Sequence, residues 1–267
     1  MRSVFSAGLL DAFIQHQFNP FDLTIGVSAG AYNLLCYLSG EPRISLHIFE
    51  NFASTKNFIN PVRFLRGGHL IDLDWIENIA FEERHIDLLS AYSKNKTLTV
   101  CLTDVHSGKA KYIQTRAENI KSVIKASAAL PVLYRDFPAI ENRPMTDGGV
   151  ADGIPVAEAI RMGAKKIMVI RARHKHYVKT DTVAHQFIRF KMRKYPELLA
   201  TMLKRVEIFE DSISLIRRPP PGIEIIEVCP PEHFKMGRFV HDRQSLLNGY
   251  QTGFKHAETA MHEWLNS

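Results

Sequence analysis

Cysteine is scarce in this 267-residue chain, which holds only Cys36, Cys101 and Cys229. Their apolar contexts and wide spacing fit neither a disulfide framework nor a metal site, and predict buried thiols in a reducing compartment. Long hydrophobic runs are missing too: nothing approaches the roughly 20 apolar residues of a membrane-spanning helix. The N-terminus lacks the basic, apolar and small-residue order of a signal peptide. Together these absences predict a cytoplasmic protein. Charge of one sign is in modest excess, 34 Lys and Arg against 28 Asp and Glu for a net +6. That favours anionic surfaces such as lipid headgroups. No nucleic-acid signature accompanies it, so nucleic acid is not expected as a partner.

What is present describes a globular chain, with 45% hydrophobic and 23% charged residues, long enough for one sizeable domain or two small ones. Its organising stretch runs from Phe21 to Gly30. An apolar run, Leu23-Thr24-Ile25, reads as a buried strand; Leu34, Leu35 and Leu38 follow at helical spacing. Between them sits Gly26-Val27-Ser28-Ala29-Gly30, a G-x-S-x-G motif. A serine between strand and helix stands on a tight, strained turn, where side chains at both glycine positions are expected to collide. Its hydroxyl is then exposed beside the positive end of a helix, where developing negative charge is stabilised. A plain turn that happens to hold a serine is the bland alternative; strand before and helix after favour a nucleophile.

The position of the motif discriminates between folds. Leu9, Leu10, Phe13 and Ile14 form a helical stripe that Asn19-Pro20 ends, so the serine follows one helix and one strand. An α/β-hydrolase places several βαβ units of about 30 residues each before its elbow, and 27 residues cannot hold them. That fold is excluded. Further on, residues 43–96 read as helices and loops. Gly67-Gly68-His69 is a turn rather than a phosphate loop, lacking a strand before it and Lys-Ser/Thr after it. Asp72 and Asp74 suit helix capping better than metal binding.

Leu98–Asp104 is a clear strand, with Lys111-Tyr112-Ile113 as its hairpin partner. A helix follows from Ile120 to Ala128, closed by Pro131. Pro155 opens another that ends near Gly163, before the buried strand Lys166–Ile170. Such alternation predicts α/β architecture with a mainly parallel sheet covered on both faces.

Asp147-Gly148-Gly149 is the second chemical candidate. On three residues alone an aspartate closing its own turn is the simpler reading. A serine nucleophile, however, needs a base within hydrogen-bond reach. The twelve histidines sit in polar or basic stretches without a distinguishing motif; His174 and His176, within Arg171–His176, read as a solvated basic loop. An aspartate acting directly on serine is a weak base unless desolvated, which predicts an apolar, partly closed site.

Gly26–Gly30 with Asp147-Gly148-Gly149 resembles the Ser–Asp dyad of the patatin-like phospholipases, the lipid acyl hydrolases. Phe5–Asp11 is similar to that family's first helix, and Ala126-Ser127-Ala128-Ala129-Leu130-Pro131 to the segment before its catalytic loop. Asp152–Val156 resembles the sequence after the loop, with Gly153 where many members have asparagine. The likeness runs from about residue 2 to 170. It implies a three-layer α/β/α fold, Ser28 attacking an ester carbonyl, Asp147 as its base, and no metal or organic cofactor. The implied substrates are phospholipids or related esters.

One departure stands out. Family members begin with a strand and a glycine-rich loop ending in Arg-Gly, whose backbone N–H groups form the oxyanion hole. Here Arg2 matches the arginine, Ser3 replaces the glycine, and the glycines and strand ahead of them are missing. Arg2 and Ser3 are what remains of the oxyanion donors. Removing a central strand leaves unpaired backbone and a gap. A start lying upstream is the preferred explanation over a shortened chain or a decayed homologue. The competing functional expectation is a catalytically impaired lipid-binding or scaffold protein of the same fold.

The remaining third reads as peripheral, giving a core over 1–175 and a C-terminal helical region over 176–267 packed on it. Residues 186–195 are basic and amphipathic, with Ile188, Met192, Tyr195, Leu199, Met202 and Val206 as one stripe and Pro196 starting a second helix. A core-packed surface helix is the default; the sharper expectation is a lid meeting anionic lipid through Arg189, Lys191, Arg193 and Lys194, peripheral to the inner membrane face. Ile223–Val228 reads as an edge strand, and Leu247, Tyr250, Phe254, Ala257, Met261 and Trp264 mark a closing helix.

Overall fold

The computed structural model describes all residues except 83–85, 93–95, 181–184 and 238–241. Helix α1 (Val4–Gln15) leads into strand β1 (Leu23–Val27), which turns sharply into α2 (Ala29–Ser39). Short helices α3 (Ile44–Ile48), with a π-helical turn after it, α4 (Pro61–Leu65), α5 (Leu73–Glu82) and α6 (Leu88–Tyr92) follow. Asp72 caps α5, accepting the Trp75 N–H at 3.0 Å, as its position before an apolar helical run predicts.

The centre of the chain holds β2 (Thr97–Asp104), β3 (Ala110–Gln114), α7 (Ile120–Ala128), β4 (Ala139–Ile140) and β5 (Arg143–Asp147). After a 3₁₀ turn come α8 (Val156–Arg161) and β6 (Lys166–Ile170), then α9 (His185–Met192), α10 (Pro196–Leu203), α11 (Arg205–Arg217), β7 (Glu224–Val228) and α12 (Arg243–Asn266). The predicted hairpin forms, β3 lying antiparallel on β2 with Val100 opposite Ile113.

The result is mixed α/β, with helices over both faces of a sheet whose centre is parallel. β1 pairs parallel with β2, Val27 opposite Cys101, and β6 pairs parallel with β7. β5 joins β2 antiparallel, Asp147 opposite Leu102. Among the described residues no strand connects β1 to β6, so the sheet is in two pieces.

Helix α1 departs from the one-sided stripe that its sequence predicts, being buried continuously from Val4 to Phe13. The cause is α12, which lies along it at backbone contact. A Cβ on Gly8 would stand 2.0 Å from the Tyr250 carbonyl oxygen, and one on Gly253 would stand 1.9 Å from that of Phe5. The two helices therefore meet where neither carries a side chain. Asp11 is buried in the same contact and accepts from the Tyr250 hydroxyl at 2.8 Å and the Arg43 N–H at 2.9 Å; burial raises its pKa against those donors.

One basic stretch needs correction. Arg171 is not part of a solvated loop: it is 3% exposed and forms a buried ion pair with Glu227 on β7. Continuation of the β6 ladder, in which the Arg171 N–H donates to the Val228 carbonyl at 2.9 Å, draws it inward. Lys175 and His176, beyond the ladder, are exposed.

Candidate active site

Ser28 sits between the end of β1 and the start of α2, in a backbone conformation of φ 53° and ψ −132°. For a residue with a Cβ this is strained, at a cost of about 1–3 kcal/mol. Neighbouring groups hold it there. The Ser28 N–H donates to the Ser127 Oγ at 2.8 Å, and that hydroxyl donates to the Cys101 carbonyl at 2.7 Å. The Ser28 carbonyl accepts from the Ala31 N–H at 2.9 Å, closing the first turn of α2. The 11-residue helix α2 presents its positive end at the serine.

The two motif glycines differ. A Cβ on Gly26 would lie 2.4 Å from the Ala31 Cα, so strand and helix approach too closely for any side chain. At Gly30 the sequence-based expectation of a collision is wrong: nothing lies within 4 Å of a Cβ placed there. The turn of α2 bearing Gly30 faces open space in a cavity, not the packed strand beneath the elbow.

Asp147 ends β5 and is 3% exposed. Its position is fixed from several sides. The Asp147 N–H donates to the Ala129 carbonyl at 3.1 Å, and the Thr103 hydroxyl donates to the Asp147 carbonyl at 2.8 Å. Its Oδ1 accepts the Gly149 N–H at 2.7 Å, so the aspartate does close its own turn. Gly148 packs on the neighbouring strand, a Cβ there meeting the Cys101 carbonyl oxygen at 2.1 Å, while one on Gly149 would sit 2.9 Å from the Asp147 Oδ1. Close approach of backbone requires the glycine at 148, whereas at 149 the conflict is with the Asp147 carboxylate alone.

The two loops meet in one place. Val27 Cγ1 lies 3.9 Å from where a Cβ on Gly149 would be, and Ser28 and Asp147 both line a cavity of about 1490 Å³. Met1, Arg2 and Ser3 line it as well. Around them the walls are apolar, with Phe58, Ile71, Leu73 and Ile76 on one side and Leu130 and Leu133 on another. Glu77 and Lys125 supply charge there and pair at 3.1 Å. Among the described residues no histidine lines the cavity, and no group of three or more His, Cys, Asp or Glu side chains is arranged to hold a metal ion.

Sequence reasoning missed the parts that join the loops. Ser127 is fully buried and braces the serine turn, while Ala129, two residues on, braces the aspartate. Thr103 accepts the Ala151 N–H at 3.1 Å while donating to Asp147, and so ties β2 to both ends of the aspartate turn. Nothing in the spacing of Ser127 or Thr103 marks them, since each acts through a single hydroxyl inside an apolar run.

The expected amphipathic stripe is used for packing: Met192 and Leu198 are buried with Val105 and Val150, against Ile188, Tyr195, Leu199 and Met202. Phe187 and Phe190 remain exposed, at 45% and 61%. Phe187 also reaches the cavity lining. Among the described residues no helix is long and apolar enough to cross a membrane.

Comparison with known proteins adds a family assignment to this geometry. A family model described as "Patatin-like phospholipase" matches residues 1–160. A second, described as a domain of unknown function (DUF6363), matches residues 195–267. The "Uncharacterized protein YjjU" of Escherichia coli (strain K12) is 33% identical over 235 residues, covering 86% of this chain. The chain in turn spans 66% of that protein's length.

Proposed function

The chain belongs to the patatin-like phospholipase family, and on that premise we propose that it is a serine acyl hydrolase cleaving carboxylic esters of phospholipids or related lipids. Ser28 Oγ attacks the ester carbonyl while its proton passes to the Asp147 carboxylate. The tetrahedral intermediate collapses, the alcohol leaves with that proton, and Ser28 carries the acyl group. Asp147 then takes a proton from water, whose oxygen attacks the acyl-enzyme, and returns it to Ser28 Oγ as the fatty acid departs. Backbone N–H groups at Arg2, Ser3 and the start of α2 stabilise the oxyanion. The chemistry needs no metal or organic cofactor.

The supporting observation is a strained serine at a helix N-terminus and a buried aspartate lining one apolar cavity. Fluorophosphonate labelling of the purified chain tests the reading, with covalent modification expected and abolished by Ser28→Ala.

A second reading is favoured by the split sheet. The gap beside β1 ends at Val27, next to the serine, and suits a lipid-binding or scaffold protein that retains the fold with impaired catalysis. Absence of labelling supports it. We divide the chain at about residue 175, a division supported by the bounds of the two family matches; the packing of α12 on α1 supports the C-terminal part lying on the same core. The proposed location is the cytoplasm, at an anionic membrane face met by Phe187, Phe190 and the cations around them.

A further inference from the structure

Positive charge is concentrated along the cavity that Ser28 lines. Among the described residues nine Lys and Arg line it against three acids, Asp22, Glu77 and Asp147, and Glu77 is already paired with Lys125. Four of the cations, Arg171, Arg173, Lys179 and Arg205, come from the stretch after β6 and the start of α11. None of the three acids belongs to that part of the chain; the carboxylate that pairs with Arg171 is Glu227 on β7. All four cations lie beyond the 1–160 span of the family match, so membership of the family assigns them no role.

Two aromatic rings gather these cations into one cluster. Tyr177, in the stretch after β6, and Phe209, on α11, meet edge to face with centroids 5.8 Å apart. The Arg171 guanidinium lies 5.6 Å from the Phe209 centroid and the Lys179 Nζ 5.3 Å from the same ring, while the Arg173 guanidinium lies 4.5 Å from the Tyr177 centroid. Arg205 stands four residues before Phe209 on α11, and therefore on the same face of that helix. Packing against a ring orients a guanidinium without consuming its N–H donors.

Two of the donors have no acceptor among the described residues. The Arg171 side chain is 2% exposed; its Nη1 pairs with Glu227, and its buried Nη2 is unmatched. The buried Nε of half-buried Arg173 is unmatched as well. A buried cationic N–H without an acceptor is costly. A phosphate, with several oxygens and a charge that one guanidinium does not fully offset, suits two neighbouring guanidiniums better than a carboxylate does. Beside the cluster the cavity lining is apolar, at Phe187, Met202 and Val206, which suits an anion carried on an apolar chain. Ser28 directly follows β1 and Arg171 directly follows β6, so both stand at carboxyl ends of strands, where open α/β sheets bind ligands. An ammonium headgroup is poorly served here, since the rings that would attract it already carry cations.

We propose that Arg171 and Arg173, with positive charge from Lys179 and Arg205 beside them, form a subsite for the phosphate of the lipid whose ester Ser28 cleaves, and that this subsite selects phosphates whose charge no ammonium offsets. The inference rests on the acyl-hydrolase reading of Ser28 and adds to it the class of headgroup. Arg173 donates to the phosphate, while Arg171, held by Glu227, offers its second nitrogen to the same anion. Anionic phospholipids are then preferred over zwitterionic ones of the same acyl chains.

The test compares dihexanoyl phosphatidic acid with dihexanoyl phosphatidylcholine as substrates of the full chain. The phosphatidic acid should show a kcat/KM higher by about tenfold or more. Arg173→Ala should remove most of that preference, chiefly through KM, and Arg173→Lys should restore only part of it. Calorimetric titration of the Ser28→Ala chain with the same two lipids, with and without Arg173→Ala, reads binding apart from turnover. Tight binding of the phosphatidic acid that weakens about tenfold in Arg173→Ala, in a chain whose unaltered form hydrolyses no ester, keeps the phosphate subsite and removes the hydrolase reading alone. Hydrolysis of both lipids at equal kcat/KM, or a preference that survives Arg173→Ala, overturns the subsite and leaves the hydrolase reading in place. Inorganic phosphate bound as tightly as the lipid assigns the cations to free phosphate and overturns the headgroup proposal. If Arg173→Ala does not fold, the comparison of the two lipids on the unaltered chain decides.

Discussion

The backbone N–H of Ser28 donates to the side chain of Ser127, 99 residues further along the chain, at 2.8 Å. This bond ties the serine turn to the segment that also positions the aspartate through Ala129. It consumes the serine's own amide, so that group is not an oxyanion donor.

Ser127→Ala removes the acceptor and leaves two buried groups, the Ser28 N–H and the Cys101 carbonyl, short of a partner. A loss of about 1–3 kcal/mol in stability is expected, readable by urea denaturation. Hydrolysis should fall mainly in kcat, since the strained turn loosens while the apolar walls are untouched; Ser127→Thr restores part of it. A variant with unaltered stability and kcat contradicts the bracing role.

The two motif glycines should behave oppositely. Gly26→Ala drives a methyl into the α2 backbone and costs about 1–3 kcal/mol or more. Gly30→Ala meets open space and gains about 0.5–1 kcal/mol of helix propensity. Thermal unfolding separates them; equal losses would refute the geometry.

Asp104 is held by Arg143 on the neighbouring strand, at 2.5 Å, and by the Ser107 N–H at 2.8 Å. Burial alone would raise its pKa, but the Arg143 and Ser107 hydrogen bonds outweigh it and bring it from 3.8 down to about 2. A depressed carboxylate contributes stability above its unfolded value that disappears as pH falls through the folded one. The chain should therefore lose stability between about pH 4 and pH 2, and Asp104→Asn should flatten that part of the profile. An unchanged slope in the variant removes Asp104 as the cause.

Contact with an anionic surface through α9 and the residues after it is testable with vesicles. Sedimentation with phosphatidylglycerol liposomes should fall for a variant with Arg189, Lys191, Arg193 and Lys194 all replaced by Glu, and also as salt is raised. Phe187→Ala with Phe190→Ala should weaken binding with little change in salt dependence. Equal sedimentation of all forms rules the surface out.

Much of this architecture is legible in the residues because its signals are local. Glycine punctuation marks the serine and aspartate turns, and apolar runs mark β2 and β6. Helical periodicity marks α7 and α12. What stays hidden depends on partners distant in sequence. The all-round burial of α1 follows from Gly253 meeting Phe5, and the inward turn of Arg171 from a β7 ladder beyond residue 220. Ser127 and Thr103 act through one hydroxyl each, which no period reveals. The freedom at Gly30 reverses a local rule because the cavity, not the strand, lies over that position.

The sharpest test of the account is turnover of a short-chain p-nitrophenyl ester by the unaltered chain beside Ser28→Ala, Asp147→Asn and a set of single His→Ala variants. Both dyad variants should fall to the buffer rate while the histidine variants keep their activity. Hydrolysis that survives Asp147→Asn but disappears with one of the histidines would contradict it, as would an unaltered chain that turns over no ester at all.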